Sequence, residues 1–306
     1  MTAGEMADAR ILVGTCNWAD HDPFYPKGLK PNERLGYYAR LFPIVEVDST
    51  FYRLMPERNF QLWAERTPDD FVFDVKAYRT LTRHGERYEP GARHETDDPE
   101  LDPRDEDFKT FKASLEPLRQ AGKLRAVLFQ FPPWMKASQR NRDYLELVRE
   151  YMPDHLVALE FRHRSWLEGE EQERTFDQLQ NLGFVYTAVD QPQIGSGSIP
   201  PLYRVTNPAL SIVRFHGRNA KSWYVRNAAS SRERFDYLYK PEELAEWVPA
   251  VGEMARGAGE VHLLMNNNAQ NYAILNARDM MRLLGQTPPP LDLPAAPEQP
   301  RLPLGS

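Results

Sequence analysis

Three cations close short apolar runs in this chain: Lys76 in Phe73-Asp74-Val75-Lys76, Arg162 in Leu159-Glu160-Phe161-Arg162, and Arg214 just before Phe215-His216. A guanidinium fork matches a carboxylate or phosphate two oxygens at a time, and an ammonium adds a point charge. Converging, the three would make a site for a small anionic or phosphorylated ligand. Glu160 and His216 are residue types suited to a general acid–base pair. Asp190, closing the run Val185–Val189, is a second carboxylate and opens a two-carboxylate hydrolytic route. Gln130 and Asn266 are neutral groups able to orient a ligand, and Trp18, Tyr52 and Trp166 offer flat faces for stacking on a sugar or base. The expected site is therefore Glu160, His216 and Asp190 for catalysis, with Lys76, Arg162, Arg214, Gln130, Asn266, Trp18, Tyr52 and Trp166 for binding.

The elements that must position these residues follow from periodicity. Short β-branched or aromatic runs predict strands at Ile11–Cys16, Ile44–Asp48, Phe71–Lys76, Ala126–Phe131, Leu156–Phe161, Val185–Val189, Ser211–His216 and Val261–Met265. Most successive starts lie roughly 30 residues apart, the span of one βα unit. Between them, apolar residues recur at helical spacing: Leu35, Tyr38, Ala39, Phe42; Phe108, Phe111, Leu115, Leu118; Leu244, Trp247, Val248, Val251; Ile274, Ala277, Met281, Leu284. Asn32 and Pro241 stand where an N-cap and a first-turn proline belong. Alternating strands and helices imply a parallel sheet, and eight units imply closure, giving an α/β fold that is a single (β/α)8 barrel of the TIM type. The domain is expected over residues 10–286, with a proline-rich, disordered tail over 287–306. One unit is irregular: Gln191 to Leu210, between strands six and seven, is rich in Pro, Gly and Ser and shows no helical stripe. Two insertions, Arg79 to Asp105 and Gly217 to Lys240, follow strand ends and should overhang the C-terminal mouth, where barrel enzymes keep their sites. The second holds Trp223, Tyr224, Phe235, Tyr237 and Tyr239 and reads as a lid.

Strand residues alternate between outer helices and barrel interior. If the apolar member of each alternation faces the helices, the inward residues are Glu46 and Asp48 on strand two, Asp74 and Lys76 on three, Gln130 on four, Glu160 and Arg162 on five, Tyr186 and Asp190 on six, Arg214 and His216 on seven, and His262 and Asn266 on eight. A barrel that had only to fold would carry Val, Ile and Leu there. Burying such charges costs several kcal/mol each unless they pair or meet a ligand. The competing explanation is mutual pairing, with Glu46, Asp74 and Glu160 balancing Lys76, Arg162 and Arg214 as a structural network.

Composition sets outer bounds. A formal charge of −6 argues against a non-specific nucleic-acid binder and leaves a nucleic-acid partner unsupported by net charge. One cysteine, Cys16, allows no intrachain disulfide and fits a reducing, cytoplasmic setting. No signal-peptide pattern opens the chain, and no apolar stretch is long enough to cross a membrane, so no membrane partner is expected. A Cys16 thiolate could act as nucleophile, but a lone cysteine is more commonly a small buried apolar group. There is no Gly-x-Gly-x-x-Gly after strand one, no phosphate-binding loop of Walker type and no His-Glu-x-x-His, so neither cofactor nor metal is expected.

The inward residues sit in segments that resemble the YecE-like family of TIM-barrel proteins, a domain of unknown function. The matching runs are Val45-Glu46-Val47-Asp48-Ser49-Thr50-Phe51-Tyr52, Val75-Lys76-Ala77, Leu128-Phe129-Gln130-Phe131-Pro132-Pro133, Glu160-Phe161-Arg162-His163-Arg164-Ser165-Trp166, Arg214-Phe215-His216-Gly217 and Asn276-Ala277. The resemblance implies the barrel and no particular reaction. The chain departs from the family pattern at Cys16-Asn17-Trp18-Ala19-Asp20 and at Met265-Asn266-Asn267-Asn268, which points to its own ligand preference.

The expected function is an enzyme of hydrolase or lyase type that acts by acid–base chemistry on an anionic or phosphorylated small molecule, a nucleotide or a nucleic-acid end. The alternatives are a non-catalytic anion- or metabolite-binding protein and a metal-dependent phosphodiester hydrolase.

Overall fold

The computed structural model describes residues 9–86, 94–95, 98–194, 198–221, 223 and 235–291. Eight strands form one closed parallel barrel in sequence order. They are β1 (Arg10–Cys16), β2 (Ile44–Val47), β3 (Val72–Lys76), β4 (Leu124–Gln130), β5 (Val157–Glu160), β6 (Val185–Asp190), β7 (Ser211–Phe215) and β8 (Glu260–Met265). Closure comes from β1 and β8, paired in register from Arg10↔Glu260 to Thr15↔Met265. Gly14 on β1 is required by a close approach: a Cβ there would stand 2.2 Å from the Ile44 carbonyl oxygen of β2.

Helices α1 (Arg34–Tyr38), α2 (Glu57–Glu65), α3 (Asp105–Gln120), α4 (Gln139–Tyr151), α5 (Glu170–Asn181), α6 (Pro241–Ala245), α7 (Val248–Gly257) and α8 (Tyr272–Leu283) surround the barrel. The stripe Phe108, Phe111, Leu115, Leu118 of α3 is wholly buried, as its spacing requires. The stripe through Leu244 and Val251 belongs to two helices rather than one. Pro249 has no amide to donate to the Ala245 carbonyl, so the chain breaks between α6 and α7 while Leu244, Trp247 and Val251 stay buried. Asn32 is not an N-cap: it lies inside a 3-10 turn, Pro31–Glu33, capped by Lys30. Pro241 does open α6, at its first turn.

Between β6 and β7 no helix occurs among the described residues. Instead the returning chain is tied to β6 by side chains. Thr206 Oγ1 donates to the Phe184 carbonyl (2.8 Å) and accepts from the Tyr186 amide (2.8 Å), and Asn207 Nδ2 donates to the Gly183 carbonyl (2.8 Å). These bonds satisfy backbone groups that a crossover helix would otherwise cover.

Two apolar clusters result from strand alternation. A small one on the axis contains Leu12, Cys16, Ile44, Val72, Ala126, Leu128, Ala158, Val185, Ile212 and Leu264. A larger one between strands and helices contains Val13, Val45, Phe73, Phe129, Leu159, Val213 and Leu263. The axis is thus apolar in its middle and polar at both ends. Residues 292–306, most of the expected disordered tail, lie outside the described residues. The part before them lies on the barrel, with Arg278 Nη1 donating to the Pro289 carbonyl (2.5 Å) and Leu291 against the outer cluster. No helix among the described residues is long and apolar enough to cross a membrane.

Candidate functional site

The polar residues of the axis fall into two groups. At the N-terminal floor, His262 Nδ1 lies 2.7 Å from Asp74 Oδ2 and its Nε2 lies 3.2 Å from Glu260 Oε1. Burial alone would lower the His262 pKa, but Asp74 and then Glu260 carry it above the ordinary histidine value. With a carboxylate at each nitrogen, His262 is suited to be an imidazolium. Arg125 Nε closes the group on Glu260 at 2.8 Å. This end of a barrel is the stabilising end, and the set is closed on itself.

The second group is at the C-terminal mouth. Arg214, fully buried, places Nη1 2.5 Å from Glu160 Oε2 and Nη2 2.6 Å from Glu46 Oε1. Arg162 Nε lies 2.5 Å from Glu160 Oε1, and Arg162 Nη2 donates to Gln130 Oε1 (3.3 Å). His216 Nε2 also faces Glu160 Oε1, at 3.2 Å. Asn266 Nδ2 donates to His216 Nδ1 (2.8 Å), while Asn266 Oδ1 accepts from Asn268 Nδ2 (3.4 Å). His216 Nε2 thus stands 3.2 Å from both the acceptor Glu160 Oε1 and the donor Arg162 Nη2.

The electrostatics divide the roles. Burial would raise the Glu160 carboxyl, but Arg162 and Arg214 overcome it and hold the group well below the usual range. Glu160 is thus an ionised acceptor and no proton donor. His216 is pushed down to about 3 by burial and then by Arg162, so it is neutral. Lys76 ends β3, partly exposed, with its Nζ 4.3 Å from the Phe51 ring centroid. It makes no ion pair among the described residues. Burial, then Arg214, push its ammonium down to about 8 against the pull of Glu46, Asp48 and Glu160. Asp48 is pushed up to about 6 by burial, with Lys76 opposing. The Cys16 thiol is pushed up by burial and by Glu46, so a thiolate is disfavoured.

Of the expected residues, the structure brings together Lys76, Gln130, Glu160, Arg162, Arg214, His216 and Asn266. The other four lie apart from them. Asp190 pairs in register with Phe215, an outer-layer residue, and neighbouring Val189 pairs with Arg214. Paired residues on adjacent strands point to the same face, so Asp190 looks outward, contrary to the expectation that it faces the axis. There its carboxylate accepts from Tyr239 Oη (2.6 Å), Trp247 Nε1 (2.7 Å) and Arg218 Nη2 (2.7 Å). Trp166 is likewise in the outer layer. It is fully buried, stacked on Phe161 at 4.5 Å, and donates Nε1 to the Met135 carbonyl (2.7 Å). Trp18 is partly buried, with its edge against Trp63 of α2 at 5.5 Å. Tyr52 stands on the rim, 54% exposed and edge-on to Phe51.

Two further residues belong to the mouth, and one of them lies beyond the reach of strand parity. Asp48 is inward by parity but follows the last paired residue of β2. His84 lies in the insertion after β3, outside any strand. It is buried against Phe51 (4.8 Å) and Trp134 (5.6 Å), and is held well below the ordinary value by burial, then by Lys76 and Arg162. The insertion after β7 reaches the mouth at Trp223 and Phe235, whose rings stand 6.4 and 6.0 Å from the His216 imidazole. Tyr224 and the rest of the expected lid, residues 224–234, lie outside the described residues. Among the described residues no group of three or more His, Cys, Asp or Glu is placed to hold a metal.

A family model described as "Protein of unknown function DUF72" matches residues 12–301. The chain is 38% identical over 290 residues to the UPF0759 protein YunF of Bacillus subtilis, covering 92% of this chain and 99% of that relative. Among solved structures, a DUF72 family protein of Enterococcus faecalis superposes with a TM-score of 0.80 at 30% identity, covering 94% of this chain and 99% of the other. A DUF72 family protein of Thermotoga maritima gives 0.75 at 34% identity, covering 90% and 100%.

Proposed function

This chain belongs to the DUF72 family of proteins of unknown function, and we propose that its barrel mouth binds a small anionic molecule and acts on it by acid–base chemistry of lyase or hydrolase type. The observation that carries this reading is the convergence of Lys76, Arg162 and Arg214 on one end of the axis, with Lys76 left without a carboxylate partner among the described residues. A barrel charge network built only for stability would balance each cation.

Within the site the roles differ by depth. Arg214 lies between Glu46 and Glu160 and fixes their positions. Arg162, whose side chain is 15% exposed, presents a planar fork toward the mouth beside Gln130. His216, oriented by Glu160 and Asn266, is the group that would carry a proton. In the resting site its basicity is suppressed by burial and then by Arg162. An anion taken up by Arg162 would offset that positive charge and raise the His216 pKa, so ligand binding itself would prepare the base.

A thermal-shift series tests the reading, with inorganic phosphate, simple carboxylates and nucleoside monophosphates on the wild type and Arg162→Ala. A rise in melting temperature in the wild type that Arg162→Ala abolishes is expected. Equal shifts in both proteins, or none in either, would remove the anion site.

A further inference from the structure

We infer that Lys76 is the nucleophile of this site, an amine that condenses with the aldehyde or keto group of its anionic substrate to form an imine. The inference rests on the reading above in taking the mouth as the place where an anionic ligand sits, and it assigns Lys76 bond formation in place of mere charge.

The geometry separates Lys76 from the other axial cations. Arg162 lies on Glu160, and Arg214 lies on both Glu46 and Glu160. Lys76 has no carboxylate within ion-pair distance among the described residues, and its Nζ rests over the face of Phe51 at 4.3 Å. Its backbone is pinned, because its carbonyl accepts from Thr50 Oγ1 (2.6 Å), while the side chain stays partly exposed at the mouth. A lysine meant only to hold an anion is served by carboxylate neighbours that keep it charged. Here no carboxylate at contact distance among the described residues holds the amine in its charged form; the Phe51 face attracts the ammonium, while burial and the neighbouring Arg214 guanidinium oppose it.

The groups that face it act in both directions. After burial, Arg214 lowers its pKa, and Glu46, Asp48 and Glu160 raise it, leaving the amine at about 8. The charges of Lys76 and Arg162 are both felt at His84, so these three share one end of the mouth. Asp48 is held up to about 6 by burial and is coupled to Lys76. Unlike Glu160, it can both give and accept a proton near neutrality.

The step balances without any further reagent. The Nζ lone pair adds to the carbonyl carbon, forming a C–N bond as the C=O π pair moves to oxygen. The proton released from nitrogen passes by way of Asp48 to that oxygen, giving a carbinolamine. A second proton, from the Asp48 carboxyl, lets the oxygen leave as water while the nitrogen lone pair closes the C=N bond. The imine then withdraws electrons from the adjacent carbon, which is what a lyase needs.

The test uses the intact chain with three probes, pyruvate, glyoxylate and glycolaldehyde phosphate, each reduced with sodium borohydride and mapped by peptide mass spectrometry. Since ordinary lysines titrate at about 10.4, the neutral fraction of Lys76 at neutral pH should exceed theirs by roughly two-hundredfold, and its labelling should exceed theirs clearly. The adduct is expected on Lys76, with a rate that rises through about pH 8, and is expected to vanish in Lys76→Arg. Labelling spread over other lysines without excess at Lys76, or none at all, overturns the inference. This readout needs only the wild type, so it stands even if a variant folds poorly. Phosphate and lactate separate the two readings. If either raises the melting temperature but no adduct forms, the anion site stands and the imine is removed. If the adduct forms and neither competes, the nucleophile stands and the anion site is removed.

Discussion

Arg214 Nη1 lies 2.5 Å from Glu160 Oε2, a contact between β7 and β5 across a barrel axis where both side chains are fully buried. The same guanidinium holds Glu46 of β2 with its other nitrogen at 2.6 Å. One residue thus ties three strands together, and both carboxylates depend on it.

Arg214→Met should therefore be severely destabilising. It leaves Glu46 and Glu160 buried with reduced compensation, and breaking a buried pair from one side costs about 3–5 kcal/mol. Urea denaturation would measure it. A loss under about 1 kcal/mol would mean that water or relaxation already screens the two carboxylates.

Arg162→Ala should behave differently. Its side chain is partly exposed, and Glu160 keeps Arg214 and His216 as partners. A stability loss of about 1–2 kcal/mol is expected, together with loss of the anion-induced thermal shift. Unfolding as severe as that of Arg214→Met would place Arg162 in the structural network instead.

Asp190→Asn should lower stability without touching ligand response. Its carboxylate joins Tyr239, Trp247 and Arg218 in the outer layer, and weakening charge-assisted bonds of this kind costs about 1.5–3 kcal/mol. An unchanged melting temperature with an abolished ligand shift would return Asp190 to the site.

His262 should make stability depend on pH at the floor of the barrel. Its folded pKa is raised, because Asp74 and Glu260 outweigh the opposing effect of burial. The folded state therefore binds this proton more tightly than the unfolded state. The contribution is fully present below the unfolded value of about 6.5 and is lost as pH rises through the folded value. His262→Asn should flatten that part of the stability–pH profile. A profile identical to wild type across that window would show that the floor histidine does not titrate there.

His216 should stay neutral in the free protein throughout the ordinary pH range, since burial and Arg162 hold it near about 3. Imidazole nitrogen NMR would read both its charge and its tautomer. On saturation with an anion its pKa should rise. A downward or absent shift would argue that the anion does not meet Arg162.

The sequence alone determined the fold and most of the mouth. Eight β-branched runs at βα spacing specify closure whatever the side chains do at the ends, and each observed strand overlaps its predicted run. Period-two alternation correctly aimed Glu46, Asp74, Lys76, Gln130, Glu160, Arg162, Arg214, His216 and His262, because on those strands the apolar and polar members separate cleanly. It failed on β6. There Val185, Thr187 and Val189 line the axis and Asp190 faces the helices, since β-branched residues suit a barrel interior as well as its outer face. Spacing also says nothing about partners at large sequence separation. Only the tertiary structure decided that Trp247, 57 positions along, would satisfy Asp190, and that Trp166 would lie beneath α4, under Arg142, rather than at the mouth. Only it brought His84, from the insertion after β3, to Lys76 and Arg162. A residue's type fixes what it can donate or accept, but its protonation state depends on burial and on which charges closure brings beside it.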